Sequence, residues 1–157
     1  MFVSPKGWAT FAWQSDYGQF YLIDGEDAAF EAPVEITEAM AAQSFFVMPA
    51  GITVYTGSCL QQHIRIAIYD REPDAQQSEP ISGHPWTRLE TAEVRFPSKS
   101  FQISSPSMPY PLPNGPLFRV DSVRCAVRLS WKEFEGHRDD SVPVEPDVID
   151  ITIWPAP

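Results

Sequence analysis

The chain has 157 residues, and its 21 acidic residues outnumber its 11 basic ones to give a net charge of −10. A protein this acidic is not expected to bind nucleic acid through the phosphates. No apolar stretch approaches the roughly 18 residues of a membrane span. The 16 prolines would interrupt any long helix, which excludes a helical bundle. The first ten residues lack the apolar core of a secretion signal, so we expect one cytoplasmic domain spanning residues 1–157.

The first part of the chain predicts four strands and one helix. The strands are short segments rich in aromatic and β-branched residues and bounded by Gly, Pro, Asp or Ser. They are Trp8–Gln14, Gln19–Ile23, Phe45–Met48 and Ile52–Thr56. The segment Thr37–Gln43 is rich in Ala, with Thr37 able to cap a helix and Glu38 in its first turn. This pattern predicts a single short helix.

From residue 64 onward, apolar and polar residues alternate. The alternating segments are Ile64–Ile68, Ala92–Phe96, Val123–Trp131 and Ile149–Ile153, and Phe101–Ser104 is a further short strand. Alternation is typical of strands with one face in a core and one in water, as in antiparallel sheets. Polar or proline-rich connections separate the strands at Arg71–Pro85, Ser104–Pro116 and Glu133–Pro146. The sequence therefore predicts an all-β fold, an antiparallel β-sandwich or a partly closed barrel, with one short helix.

The residue types that carry catalysis form no motif in this chain. His63, His84 and His137 have no partner at the spacing of metal ligands, and no Gly-x-Ser-x-Gly nucleophile motif occurs. Cys59 and Cys125 are too few for a disulfide framework and are expected to be reduced, with Cys125 buried on an apolar strand face. We predict that the protein is not an enzyme and has no cofactor or metal. A metal-dependent β-barrel enzyme would require the histidines to converge inside a barrel.

Acidic clusters in the predicted turns leave a second alternative, a calcium- or sugar-binding β-sandwich module. Calcium binds several carboxylate and carbonyl oxygens that converge from loops. Such a site would need Asp24, Asp27, Asp70 and Asp139 at one end of the sandwich.

Apart from Lys6, the basic side chains lie outside the first two-fifths of the chain. Between Gly7 and Ile64 there is no Lys or Arg, whereas seven carboxylates occur there. Such a surface keeps a protein soluble, or it docks a basic protein partner whose association it accelerates. The residues predicted to contact that partner are Asp24, Glu26, Asp27, Glu31, Glu35 and Glu38.

One predicted strand carries a row of basic residues. Arg124, Arg128 and Lys132 recur at every fourth position, so their side chains share the outer face of the strand. Such a row pairs with carboxylates on neighbouring strands. The candidate carboxylates are Glu90, Glu93 and Asp150.

Several short segments together resemble a known family. They are YGQFYLID, TEAMAAQ, GITVYTG, IRIAIYD, ETAEVRFPSKSFQI and the strand Val123–Trp131. In order and spacing, over residues 10–132, they resemble the competence-associated nuclease inhibitors, the ComJ-like family of small bacterial proteins that bind and inhibit a nuclease. The resemblance implies a non-enzymatic inhibitor or immunity protein whose partner is a basic nuclease or a similar toxin. The chain departs from the family in its proline-rich loop and in a C-terminal extension ending ITIWPAP.

Overall fold

The computed structural model describes residues 3–14, 18–26, 35, 37–56, 61–74, 86–107, 116–133 and 147–157. These residues form ten strands and one short helix. In chain order the elements are β1 Gly7–Gln14, β2 Gln19–Asp24, α1 Glu38–Gln43, β3 Phe45–Met48, β4 Gly51–Tyr55, β5 Gln61–Ile68, β6 Arg88–Arg95, β7 Ser100–Ser104, β8 Phe118–Arg119, β9 Arg124–Lys132 and β10 Val148–Pro155. No helix in the described part of the chain has the length and apolarity needed to cross a membrane.

The strands form two five-stranded sheets. Sheet A has the order β1-β5-β10-β9-β6, and sheet B has the order β3-β4-β2-β7-β8. Apolar side chains from both sheets meet in one core, so the all-β sandwich is confirmed and its barrel alternative is not what the structure shows. Every described strand pair is antiparallel except β5 with β10, which run parallel. Alternation indicates which face of a strand is buried but not the direction in which the strand runs, so the parallel pairing of β5 with β10 was not predicted.

The core follows the alternating residues. Ile66 of β5, Val127 and Leu129 of β9 and Ile151 of β10 are at most 1% exposed. They pack against apolar residues of sheet B, such as Phe20. At about 25 cal/mol per Å² of apolar surface removed from water, burial of these side chains is the main stabilising contribution to the sandwich.

The C-terminal segment is part of the core. The end of the chain was interpreted as an extension relative to the family that the sequence resembles. It contains β10, which lies in sheet A between β5 and β9. Ile151 faces the core, and Trp154 on the opposite face is buried against Tyr69 and Ala126. The guanidinium of Arg128 lies 5.0 Å from the centre of the Trp154 ring. Both faces of this strand are therefore covered, and the strand predicted at Ile149–Ile153 is confirmed as part of the core.

Two members of the basic row on β9, Arg124 and Arg128, make contacts that stabilise the fold, and Arg124 makes the contact that the sequence predicts. Arg124 pairs with Glu93 through two hydrogen bonds, from Nε at 2.8 Å and from Nη2 at 3.0 Å. The buried Arg128 instead donates from Nη2 to Glu72 Oε1 at 3.1 Å and from Nη1 to the Pro73 carbonyl at 3.2 Å. This pair of bonds fixes the segment after β5 to the outer face of sheet A.

Candidate functional site

The helix α1 has the local structure that its sequence predicts. The backbone N–H of Met40 donates to Thr37 Oγ1 at 3.2 Å, so Thr37 is the N-cap. The helix ends at Gln43, and Ser44 follows in the left-handed region with a φ of 61°. Glycine usually occupies this position after a helix, and Ser44 is held there because its carbonyl accepts the N–H of Tyr55 at 2.9 Å.

A basic residue of sheet A contacts the C-terminal end of α1. Arg88 of β6 donates from Nη2 to the Ala42 carbonyl and from Nη1 to Ser44 Oγ at 2.8 Å. A cation at the C-terminal end of a helix interacts favourably with its partial negative charge. Arg88 also pairs with Glu90 and lies over the Trp131 ring, so α1 is fixed to the edge of sheet A. The fold therefore places Arg88 against the segment between Gly7 and Ile64, which itself contains no Lys or Arg.

Two exposed apolar side chains follow this helix. Phe46 and Val47 of β3 are 37% and 36% exposed, and β3 is an edge strand of sheet B in contact with α1. Glu35 and Glu38, at the N-terminal side of α1, are also exposed. We use the name α1–β3 surface for these four exposed residues together; within it, Phe46 and Val47 are consecutive in a strand and point to opposite faces of sheet B. Exposed apolar and charged side chains both occur in protein-docking surfaces.

Asp24, which the sequence predicts to contact a partner, is buried. Its side chain is 1% exposed at the end of β2. Its Oδ1 accepts the N–H of Glu26 at 2.9 Å, and its Oδ2 accepts the N–H and the hydroxyl of Ser98 at 2.8 and 2.9 Å. These bonds tie the end of β2 to the turn between β6 and β7. A carboxylate buried in this way cannot be presented to a partner.

The remaining acidic residues of the predicted contact surface lie in different places. Glu26 is exposed directly after β2, whereas Asp27 and Glu31 lie outside the described residues. The register of sheet B puts the end of β2 beside Gly51, at the opposite end of the sheet from Phe45, into which α1 leads. Glu26 and the helix α1 are therefore attached to opposite ends of sheet B.

Of the candidate catalytic side chains, the structure describes His63 and Cys125. His63 is exposed on β5, and His84, His137 and Cys59 lie outside the described residues. Burial, with the nearby charge of Asp121, raises the pKa of the Cys125 thiol to about 11. A thiol with this pKa is almost fully protonated near pH 7 and is a poor nucleophile. Among the described side chains, no three His, Cys, Asp or Glu residues are grouped to hold a metal ion.

The calcium alternative depends on four aspartates, of which the structure describes two. Asp24 is buried with its oxygens already accepting hydrogen bonds, and Asp70 is exposed after β5. Asp27 and Asp139 lie outside the described residues.

Comparison with solved structures relates this architecture to known proteins. The crystal structure of ComJ from Bacillus subtilis, an inhibitor of the DNA-degrading activity of NucA, is similar with a TM-score of 0.66 and 10% sequence identity. The similarity covers 99% of this chain and 100% of ComJ. This chain has the ComJ fold. The resemblance seen over residues 10–132 is thus confirmed as a likeness of fold, and the likeness also includes β10.

A second solved structure has the same architecture. A protein described as crocagin biosynthetic gene J is similar with a TM-score of 0.58 and 14% identity, over 95% of this chain and 97% of that protein. No protein-family model matches the sequence, and no curated protein matches it significantly. At these identities the ComJ likeness establishes the fold and leaves the residues of any site to be argued from this chain.

Proposed function

We propose that this protein is a non-enzymatic inhibitor or immunity protein that binds a basic nuclease or a similar toxin. The observation that carries the proposal is the ComJ fold over almost the whole chain, since ComJ itself inhibits a nuclease. The absence of a catalytic motif in the sequence and the protonated, buried Cys125 agree with a binding role.

The physical basis of inhibition is competition with DNA phosphates. A nuclease binds phosphates in an electropositive cleft, and an inhibitor blocks that cleft when its carboxylates occupy the phosphate positions. The exposed carboxylates that we assign to this contact are Glu35 and Glu38 of the α1–β3 surface. A contact by Glu26, Asp27 and Glu31 stays a prediction from the sequence, with Asp27 and Glu31 outside the described residues. Asp24 is left out because it is buried.

The two kinds of side chain on the α1–β3 surface have different kinetic roles. Charged side chains accelerate association through long-range attraction. Desolvated apolar contacts mainly slow dissociation. We therefore assign the association rate to Glu35 and Glu38 and the lifetime of the complex to Phe46 and Val47.

A charge reversal tests this assignment. The double variant Glu35→Lys/Glu38→Lys is compared with Asp70→Lys/Glu133→Lys, which has the same net charge and also changes two exposed carboxylates. Association with a NucA-type nuclease is followed by stopped flow or surface plasmon resonance. The first variant should associate about tenfold or more slowly at low salt, and the control should change much less. At 1 M salt, where the Debye length falls to about 3 Å, the difference should disappear.

Two results would count against the proposal in different ways. Equal association rates for the two double variants would show that the α1–β3 surface is not the contact, although the inhibitor function could stand. An absence of binding by the unmodified protein to any nuclease of this type would remove the function itself.

A further inference from the structure

The strand β1 forms one edge of sheet A, and no described strand pairs with its free side. Among the described residues β1 pairs with β5 alone. Its eight residues, GWATFAWQ, include no charged residue and no proline. Edge strands of stable monomers are usually short, charged, bulged or interrupted by proline, because an open edge recruits another strand. Strand β1 has none of the charge, proline or shortness that would protect it.

The other three edges in the described part of the sheets are protected. Strand β6 carries Arg88, Glu90, Glu93 and Arg95 along its length. Strand β3 has four residues and is joined to α1, and β8 has two residues. The lack of protection is therefore specific to β1.

Hydrogen bonds identify the backbone groups that are available on β1. The N–H groups of His63 and Tyr69 donate to β10 and its approach, so the even-numbered residues of β5 face β1. Gly7 lies opposite Ile68, and the odd-numbered residues of β1 therefore face β5. The N–H and C=O groups that point to the free side belong to Trp8, Thr10, Ala12 and Gln14. All four residues are exposed, and Trp8 is 71% exposed.

The described residues beside the start of β1 carry little negative charge. A groove of about 580 Å³ lies along the start of the strand, with Leu117 on its other wall. Its charged lining residues are Lys6, Arg119 and Asp121, two cations and one anion. In a chain of net charge −10, this side of the molecule is one that another strongly acidic molecule can approach.

We propose that β1 pairs with β1 of a second copy of this chain, antiparallel across a two-fold axis. The two sheets A then form one continuous ten-stranded sheet. A two-fold axis at Phe11 puts Thr10 opposite Ala12 and Trp8 opposite Gln14, so no charged side chains face each other. The antiparallel arrangement also separates the two Lys6 ends, and each of them lies towards the Gln14 end of the other strand.

A pair of proline variants tests this dimer by sedimentation. The N–H of Thr10 points to the free side, so Thr10→Pro removes no hydrogen bond of the β1–β5 pair and blocks strand addition. The matched control is Thr91→Pro on the opposite edge of sheet A. Because the N–H of Phe96 donates to Val123, the even-numbered residues of β6 face β9 and the N–H of Thr91 points outward. Thr10→Pro should raise the dimer dissociation constant about tenfold or more, and Thr91→Pro should leave it unchanged.

Salt dependence and amide exchange provide independent readouts. Two molecules of charge −10 repel each other at long range, so dimerisation should strengthen as salt is raised. Amide exchange of Trp8, Thr10 and Ala12 in the unmodified protein should slow as protein concentration rises. A monomer at millimolar concentration, protection that is independent of concentration, or weakening by Thr91→Pro but not by Thr10→Pro would overturn the proposal.

Discussion

The replacement of Asp24 by Ala separates a structural carboxylate from a contact carboxylate. The change removes the acceptor for the N–H and hydroxyl of Ser98 and for the N–H of Glu26. We expect the variant to be less stable and to keep its rate of association with a nuclease. Replacement of the exposed Glu26 by Ala is the matched control, since this residue is two positions away and its carboxylate is in water.

The magnitude follows from the hydrogen bonds. A bond to an ionised group contributes roughly 1.5–3 kcal/mol, and the loss is largest where the donor cannot reach water. The Ser98 hydroxyl keeps a partner in Ser100 Oγ at 2.7 Å, and Glu26 is exposed enough for water to replace its lost acceptor. The Ser98 N–H therefore accounts for most of the cost, and we expect Asp24→Ala to lower the free energy of unfolding by about 2–4 kcal/mol.

The assay is equilibrium unfolding in urea, followed by tryptophan fluorescence. With a slope of about 2 kcal/mol/M, the expected loss moves the midpoint down by about 1–2 M without a change of slope. Glu26→Ala should stay within about 0.5 kcal/mol of the unmodified protein. If Asp24→Ala is equally stable and instead associates more slowly with the nuclease, the structural role assigned to Asp24 is wrong.

Three further predictions concern the core and two buried titratable groups. Leu129→Ala removes a fully buried side chain and should cost about 2–5 kcal/mol in urea unfolding; a cost below about 1 kcal/mol would contradict the core assignment. In a Cys59→Ser variant, Ellman's reagent near pH 7 should label Cys125 no faster than the protein unfolds, and immediate labelling would indicate an accessible thiolate. Burial raises the pKa of the Asp150 carboxyl, although Arg65 pairs with it at 3.0 Å. The folded state therefore binds the carboxyl proton more tightly than the unfolded state does. As a result, the contribution of this carboxyl to stability falls as pH rises above about 4. Asp150→Asn should remove that contribution, so that stability rises more steeply between about pH 4 and the folded pKa than in the unmodified protein, and identical pH profiles would contradict this.

The sequence located most strands because their signal is local. Alternation over five to nine residues identifies a strand from its own side chains, and the N-cap of α1 needs only Thr37 and the turn that follows it. The two-residue strand β8 is too short to alternate and was not predicted. The parallel pairing of β5 with β10 joins residues 85 positions apart, such as His63 and Val148, and no local pattern indicates strand direction.

The candidate site was harder to predict because its parts come together from distant segments. In the sequence, Asp24 and Glu26 look alike, and only the Ser98 contact, from 74 residues away, distinguishes a buried acceptor from an exposed carboxylate. Arg88 reaches α1 from the other sheet and interrupts a surface that the sequence described as free of bases. The run Phe45–Met48 is apolar throughout, so it gives no signal that Phe46 and Val47 are exposed.

The proposed inhibition of a nuclease is tested most directly by a titration of DNA degradation. A NucA-type nuclease is held at fixed concentration with double-stranded DNA, and the protein is added in increasing amounts. We predict that degradation falls in proportion to the protein added and stops near one molar equivalent. The Glu35→Lys/Glu38→Lys variant should require more protein at low salt than the Asp70→Lys/Glu133→Lys control. Degradation that continues unchanged at a large excess of the protein would contradict the proposed function.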